Sequence, residues 1–383
     1  MKTETFPSQT GRGARPSELL GKAISRRGIL TGVAALAAGR ALPGKAEDDA
    51  AFAVPQAPPY VYIACYTPAG RGISIYSVNA QTNVMVLSNI IGPVSNPSWI
   101  ALDPTKKFLY AVNEVNAGLV MAFSVSPTTA ELTFLNQQSS GGANPAHCAV
   151  HPGGKVLLVA NYSGSTVEVV PILADGSLAA PTQVVRHLGD LGPNTGRQEA
   201  PHPHMVLPDP TGKDVLVNDL GMDATFVYSL DQTAGRLTLV NTTFSTPGAG
   251  PRHLAWHPNG KILYSLNELN NSINLHGWDV SNGTLTSVQS DLTTLPPQFK
   301  GVSSCAEVLV AASGNFVYAP NRCHNSIATF AVDPINSRLT ILGWTATQGE
   351  GPRHFNFAAR AKRPVRWHGL AYVHFVWSSI VAE

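Results

Sequence analysis

The chain has 383 residues, 44% of them hydrophobic and only 13% charged, and its net charge is +2. That balance supports a large buried core and argues against disorder, and near-neutral charge with no basic stripe argues against a nucleic-acid partner. The 34 glycines and 29 prolines are spread along the chain, as many short strands joined by tight turns require.

In chain order, the first element is not part of a fold. ISRRGILTGVAALAAG sets Arg26 and Arg27 directly before a short apolar run at 28–39, and a small-residue site follows at Ala51, Phe52 and Ala53. A basic pair, a short apolar run and then small residues is the order of an export signal, and the paired arginines after Ser25 resemble a twin-arginine signal. The run is too short to span a bilayer, and no other apolar run is long enough. Residues 1–53 are expected to be an export signal and linker read by the twin-arginine export machinery. The mature protein is then expected to be periplasmic or secreted, without a membrane span.

From about Tyr60 the chain repeats itself. VYIACYT, GISIYSV and the run near Val84 supply three strands of a first, partial unit. SWIALDPTKKFLYAVNE, HCAVHPGGKVLLVANY, HMVLPDPTGKDVLVNDL, HLAWHPNGKILYSLNE and EVLVAASGNFVYAPNR then each carry an apolar run, a turn, a second apolar run and an asparagine. The turn residues are Pro104, Pro152, Pro210, Pro258 and Gly314; the asparagines are Asn113, Asn161, Asn218, Asn267 and Asn321. An alternating strand such as STVEVV or SINLHGWD follows each, and then a weaker one such as RLTLVNTTF. Four short strands in each period of about 50 residues, with no sustained helical spacing, predict an all-β propeller of four-stranded blades over residues 54–358. The partial first unit lacks an innermost strand. That suits a ring in which a C-terminal strand completes the first blade and removes the open sheet edges.

A further copy opens with GPRH at 351–354, but the chain then runs into ARAKRPVRWHGLAYVHFVWSSIVAE, with no proline turn and no asparagine after a second strand. Residues 359–383 are expected to be an aberrant tail unrelated to the repeat, from a frameshift or a damaged gene end, in which AYVHFVWSSI can form one strand.

The phrases NPAH at 144–147, RQEAPHPH at 197–204, GPRH at 250–253, NELNNS at 267–272 and NRCHNSIATF at 321–330 carry a specific likeness through their order and spacing. The chain resembles, from about Tyr60 to Phe357, the lactonases of the 6-phosphogluconolactonase type, which also include the carboxymuconate-lactonising enzymes. The resemblance implies a seven-bladed propeller acting on lactone rings with neither a metal nor an organic cofactor. Against that pattern the chain lacks most of the seventh blade and the closing strand, and it has Cys323 where a glycine is usual.

Repetition also sorts the candidate residues. A residue present in every copy serves the blade, so the recurrent asparagine is expected to cap turns. The slot five residues before the turn proline differs between copies: Trp99, His147, His253 and, counted from the turn glycine, Glu307. His354 follows the second GPRH, and His204 falls one place off, which is read as an extra residue in that turn. Innermost strands face the axis of a propeller, so rotational repetition gathers these slots at one place. Imidazoles, a carboxylate and the neighbouring Arg252 and Arg353 are costly to bury there without a partner.

The resemblance then implies His147, Glu307, His202 and Arg252 as reacting groups, with Arg197, His204, His253, Glu268 and Arg353 binding substrate. Glu307 or His147 is expected to take the proton from water, and Arg197 and Arg252 to bind an anion. HPH at 202–204 offers two imidazoles but no third ligand at suitable spacing, so no metal is expected. Cys65, Cys148, Cys305 and Cys323 show no CxxC spacing and are expected to be buried small residues. No GxSxG elbow and no phosphate-cradling glycine loop before a helix is present.

The expected function is an exported, cofactor-independent lactonase hydrolysing a small anionic sugar-acid lactone. A carboxymuconate-type lactonising enzyme would use the same arginines on carboxylates. A non-catalytic binding propeller would need none of the groups to react.

Overall fold

Segments rich in β-branched and aromatic residues become strands, and consecutive strands pair antiparallel into six four-stranded sheets. The computed structural model describes residues 60–67, 70–79, 82 and 84–357, and the backbone of 373–378. Blade 1 holds Tyr60–Cys65, Ile73–Val78 and Met85–Ile91; blade 2 runs from Ile100–Leu102 to Leu132–Ser139, and blade 3 from Pro145–Val150 to Gln183–Arg186. Blade 4 runs from Pro203–Pro208 to Arg236–Phe244, blade 5 from Pro251–Trp256 to Thr284–Thr293, and blade 6 from Leu309–Val310 to Leu339–Ala346. The first strands of successive blades touch one another, which places them innermost.

Burial follows from that radial order. The second strand of blade 3, Val156–Asn161, is buried along its whole length because a neighbouring blade covers each face. The outermost strand of blade 5, Thr284–Thr293, is largely exposed or half-buried. Apolar clusters fill the spaces between blades: Tyr62, Ile75, Leu109 and Phe123 join blades 1 and 2, and Leu158, Val167, Val217 and Tyr228 join blades 3 and 4. Each His-Pro turn also clamps the next blade. His151 accepts at Nδ1 from the Gly153 amide (3.0 Å) and donates from Nε2 to the Gly212 carbonyl (2.7 Å). His257 repeats the pattern on Asn259 (3.1 Å) and Gly314 (3.2 Å). Both receiving glycines have left-handed φ, 74° and 75°, which only glycine adopts without strain.

Four expectations need correction. The closing strand is present: Val373–Ser378 pairs antiparallel with Tyr60–Cys65, in the innermost position of blade 1. The alternating β-branched and aromatic sequence VHFVWS suits that role although it does not match the repeat. Second, the turn of blade 4 has no extra residue; strand pairs Pro203–Pro208 and Asp214–Asp219 are spaced as Pro145–Val150 and Val156–Asn161 are. His204 is one place early for another reason, described below. Third, Asn218 does not occupy the asparagine slot of blade 4. Pro203 pairs with Asp219 as Pro145 pairs with Asn161, so the slot holds aspartate. Fourth, only Cys148 and Cys305 are buried; Cys65 is half-buried, Cys323 is exposed, and all four are free thiols. The expected signal at 1–53 and residues 359–372 and 379–383 of the tail lie outside the described residues. Among the described residues no helix is long and apolar enough to cross a membrane.

Candidate active site

The inner strands of blades 3, 4 and 5 share a β-bulge. Pairing steps from Pro145 to His147, from Pro203 to Met205 and from Pro251 to His253. The skipped residue is Ala146, His204 or Arg252. A bulge re-aims a side chain out of the ladder, so each blade contributes two adjacent residues at the axis rather than one. The true blade 4 equivalent of His147 and His253 is Met205, and His204 is the bulge residue, equivalent to Arg252.

The residues of the second slot pack into one buried cluster. Trp99 lies 4.1 Å (ring centroids) from His147, 5.3 Å from His253 and 5.3 Å from His354. His253 in turn lies 5.8 Å from His147 and 5.1 Å from His204. Glu307 enters from blade 6, with Oε1 3.1 Å from His253 Nδ1 and Oε2 3.2 Å from His354 Nε2. Burial pushes its carboxyl up to about 8, against the opposing pull of the Val308 amide and Arg252. Burial first, and Arg252 second, hold His204 and His253 well below the ordinary imidazole value. Burial thus favours the neutral form of the His204 and His253 imidazoles and the protonated form of Glu307.

Next to it, three guanidiniums converge on one carboxylate. Glu268 receives Arg197 Nη2 at 2.7 Å and Arg322 Nη2 at 2.8 Å on Oε1, and Arg252 Nε at 2.8 Å on Oε2. Burial alone would raise the Glu268 carboxyl, but Arg322, Arg252 and Arg197 together outweigh it and hold the group well below the carboxylate range. Burial and then Arg353 pull Arg252 downward, yet a guanidinium stays cationic at neutral pH. Arg252 also donates to the Ala306 carbonyl, and Arg322 to the Cys305 carbonyl at 2.9 Å. Arg353 lies over the Tyr66 ring, 5.5 Å from its centroid, and donates to the Tyr66 hydroxyl at 3.1 Å; that hydroxyl donates to Glu114.

A 16-residue connection, 187–202, between the last strand of blade 3 and the first of blade 4 brings in Arg197 and His202. The His202 ring stacks on Tyr162 (4.2 Å, 5° between planes), whose hydroxyl lies 3.4 Å from Arg197 Nη2. His202 Nδ1 donates to the Tyr162 carbonyl at 2.9 Å. A carbonyl only accepts, so Nδ1 carries a proton, and Nε2 lies 3.3 Å from Glu199 Oε1. All nine residues that the resemblance implies thus come together, with Trp99 and His354 alongside them. Sequence reasoning missed Arg322, Tyr66, Glu114 and Tyr162. Each follows the end of its blade's second strand, as Glu268 does, and this position reads Tyr66, Glu114, Tyr162, Leu220, Glu268 and Arg322 around the ring. Its variation from copy to copy was the available signal.

A family profile described as "Lactonase, 7-bladed beta-propeller" matches residues 60–363. The chain belongs to the seven-bladed β-propeller lactonases. Among the described residues this member of the family has six four-stranded sheets. It is 33% identical to a 6-phosphogluconolactonase of Bacillus subtilis over 298 residues, 77% of this chain and 84% of the relative. A 6-phosphogluconolactonase of Formosa agariphila is 29% identical over 294 residues, 75% and 82% of the two chains. The solved structure of the periplasmic gluconolactonase of Pseudomonas aeruginosa superposes with a TM-score of 0.74 and 28% identity, covering 79% of this chain and 86% of that one.

In this lactonase-family chain the cluster offers cationic donors for an anion, neutral imidazoles and a carboxyl close to neutral pH. Among the described residues no group of three or more His, Cys, Asp or Glu is arranged to hold a metal ion.

Proposed function

We propose that the protein is an exported hydrolase that opens a small anionic sugar-acid lactone without a cofactor. The observation that carries this reading is the convergence of Arg197, Arg252 and Arg322 on Glu268, with Arg353 close enough to perturb Arg252. Four guanidiniums against the carboxylates of Glu268 and Glu114 leave positive charge for a substrate carboxylate or phosphate and for an oxyanion. The names of the relatives, gluconolactonase and 6-phosphogluconolactonase, favour the same substrate class. The periplasmic relative and the basic-then-apolar N-terminus favour export.

In this reading the neutral form of His202 takes the water proton on Nε2, and Glu199 Oε1, 3.3 Å away, stabilises the imidazolium that results. Glu307 is protonated at neutral pH and serves instead as a proton-carrying neighbour of His253 and His354. The water oxygen bonds to the lactone carbonyl carbon, and the guanidiniums stabilise the oxyanion. Collapse of the tetrahedral species breaks the ring C–O bond, and the departing alkoxide takes the proton back from His202. The product is the open hydroxy acid. The test is acid release, followed with a pH indicator, from gluconolactone and its 6-phosphate. Release above the spontaneous rate that is lost in Arg252→Ala supports the reading. No release from either lactone by folded protein overturns it.

A further inference from the structure

In blades 2, 3 and 6 the asparagine at the end of the second strand works as a neutral clamp. Asn161 donates through Nδ2 to the Ser140 carbonyl, and Asn321 to the Thr294 carbonyl at 2.9 Å, each tying its blade to the end of the previous blade. In blade 4 the slot holds Asp219, which has no N–H to donate. The donor comes from the other side. His187 stands where Ser140 and Thr294 stand, since its amide bonds to the Ser165 carbonyl as theirs bond to Gly118 and Asn271. Its Nδ1 donates to Asp219 Oδ2 at 2.7 Å, and its Nε2 accepts from the Tyr228 hydroxyl at 3.0 Å. Both side chains of the Asp–His pair are fully buried.

That exchange frees the other oxygen. Asp219 Oδ1 accepts three main-chain N–H groups: His202 at 2.7 Å, Gly221 at 2.9 Å and Met222 at 3.1 Å. The 187–202 connection has separate ties elsewhere, through Arg197 to Glu268 and through Gln198 Nε2 to the Leu220 carbonyl at 2.9 Å. The His202 amide rests on Asp219, while the His202 carbonyl accepts from the Leu220 amide at 3.0 Å. A carboxylate accepting three amides and an imidazole N–H is a stiff anchor, because charge-assisted bonds are stronger than the neutral amide bonds they replace.

We propose that the buried Asp219–His187 pair, backed by Tyr228, is a positioning device that fixes the His202 main chain and so aims the His202 imidazole at the reacting lactone. The proposal rests on His202 acting in lactone opening as set out above. It places Asp219 and His187 as positioning residues that do not touch substrate. A clamp that only stabilised the blade would be served by the neutral Asn–Ser pair of blade 3 or the Asn–Thr pair of blade 6.

The test is Asp219→Asn combined with His187→Thr, which installs the Asn321–Thr294 pair of blade 6 in blade 4. The fold already uses that pair, and Asp219→Asn alone serves as a second variant. The expected result is near-wild-type melting, a kcat lowered by about 10-fold to 100-fold, the scale of a misplacement near 1 Å, and a KM little changed, because Arg197 stays tied to Glu268. A folded double variant with wild-type kcat overturns the proposal. A second readout is independent of turnover: long-range proton–nitrogen NMR correlations of the His202 ring. The wild type should show a single Nδ1–H tautomer, and Asp219→Asn a mixture. A His202 signal unchanged in Asp219→Asn also overturns the proposal. Absence of lactone hydrolysis by the wild type would instead remove the reading of the reaction, leaving the NMR result to decide on the anchor.

Discussion

Arg322 and Glu268 meet at 2.8 Å although they lie at the same position of adjacent blades, each just after the end of a second strand. Rotation between blades converts a sequence separation of one repeat into direct contact. That relationship makes Glu268 the electrostatic centre of the site.

Glu268→Gln should be severely destabilising. Removing one partner of a buried ion pair typically costs about 3–5 kcal/mol, and here it leaves the buried Arg252 guanidinium uncompensated. The sign with pH follows from the direction of the shift. The folded-state carboxyl is held below its ordinary value of 4.5, so its contribution is fully present above that value and fades as pH falls below it. Denaturant titrations across pH 3–7 should show the wild type losing this contribution in acid and Glu268→Gln lacking that part of the slope.

Arg322→Lys should weaken binding of an anionic lactone or aldonate by roughly tenfold, the loss of one charge-assisted hydrogen bond of about 1.5 kcal/mol. Arg322 Nη2 holds both the Glu268 carboxylate and the Cys305 carbonyl, so a lysine that kept these contacts would lack the second guanidinium nitrogen that an incoming anion can use. Calorimetric titration with gluconate and 6-phosphogluconate checks this, and equal affinity in the variant would remove Arg322 from the binding site.

Glu307 should make anion affinity fall above pH 8. Its carboxyl is protonated below about 8, so ionisation above that value adds a negative charge beside Arg252. Product binding measured from pH 6.5 to 9 should weaken at the alkaline end in the wild type and stay flatter in Glu307→Gln.

Glu168 is a buried carboxylate outside the site, with no hydrogen-bond partner for either oxygen among the described residues. Burial raises it to about 8 from 4.5, so the folded state binds more protons than the unfolded state between these values, and stability falls as pH rises through that window. Blade 2 carries Met121 at the equivalent place, two residues into the third-strand pairing. Glu168→Met should raise stability at pH 8 by about 1–3 kcal/mol, the cost of an unsatisfied buried polar group, and by less at pH 5. Thermal melts at the two pH values check the difference.

The sequence by itself determined the repeating unit. Alternating strands, a Pro or Gly turn and a period near 50 residues leave little besides a propeller, because local periodicity is what sets strand and turn. It also pointed to Trp99, His147, His253 and Glu307, since a slot that varies from copy to copy is freed from blade packing. Tertiary structure decided the rest. The bulge that turns His204 and Arg252 toward the axis is a matter of strand pairing, and the sequence reads it as a one-residue offset. Asp219 was hidden behind Asn218 because the aspartate gains its meaning only from His187, 32 residues away. Arg322 and Glu268 are chemically ordinary residues in their own repeats. Only packing of blade beside blade brings their charges within hydrogen-bonding distance, so that three guanidiniums meet one buried carboxylate.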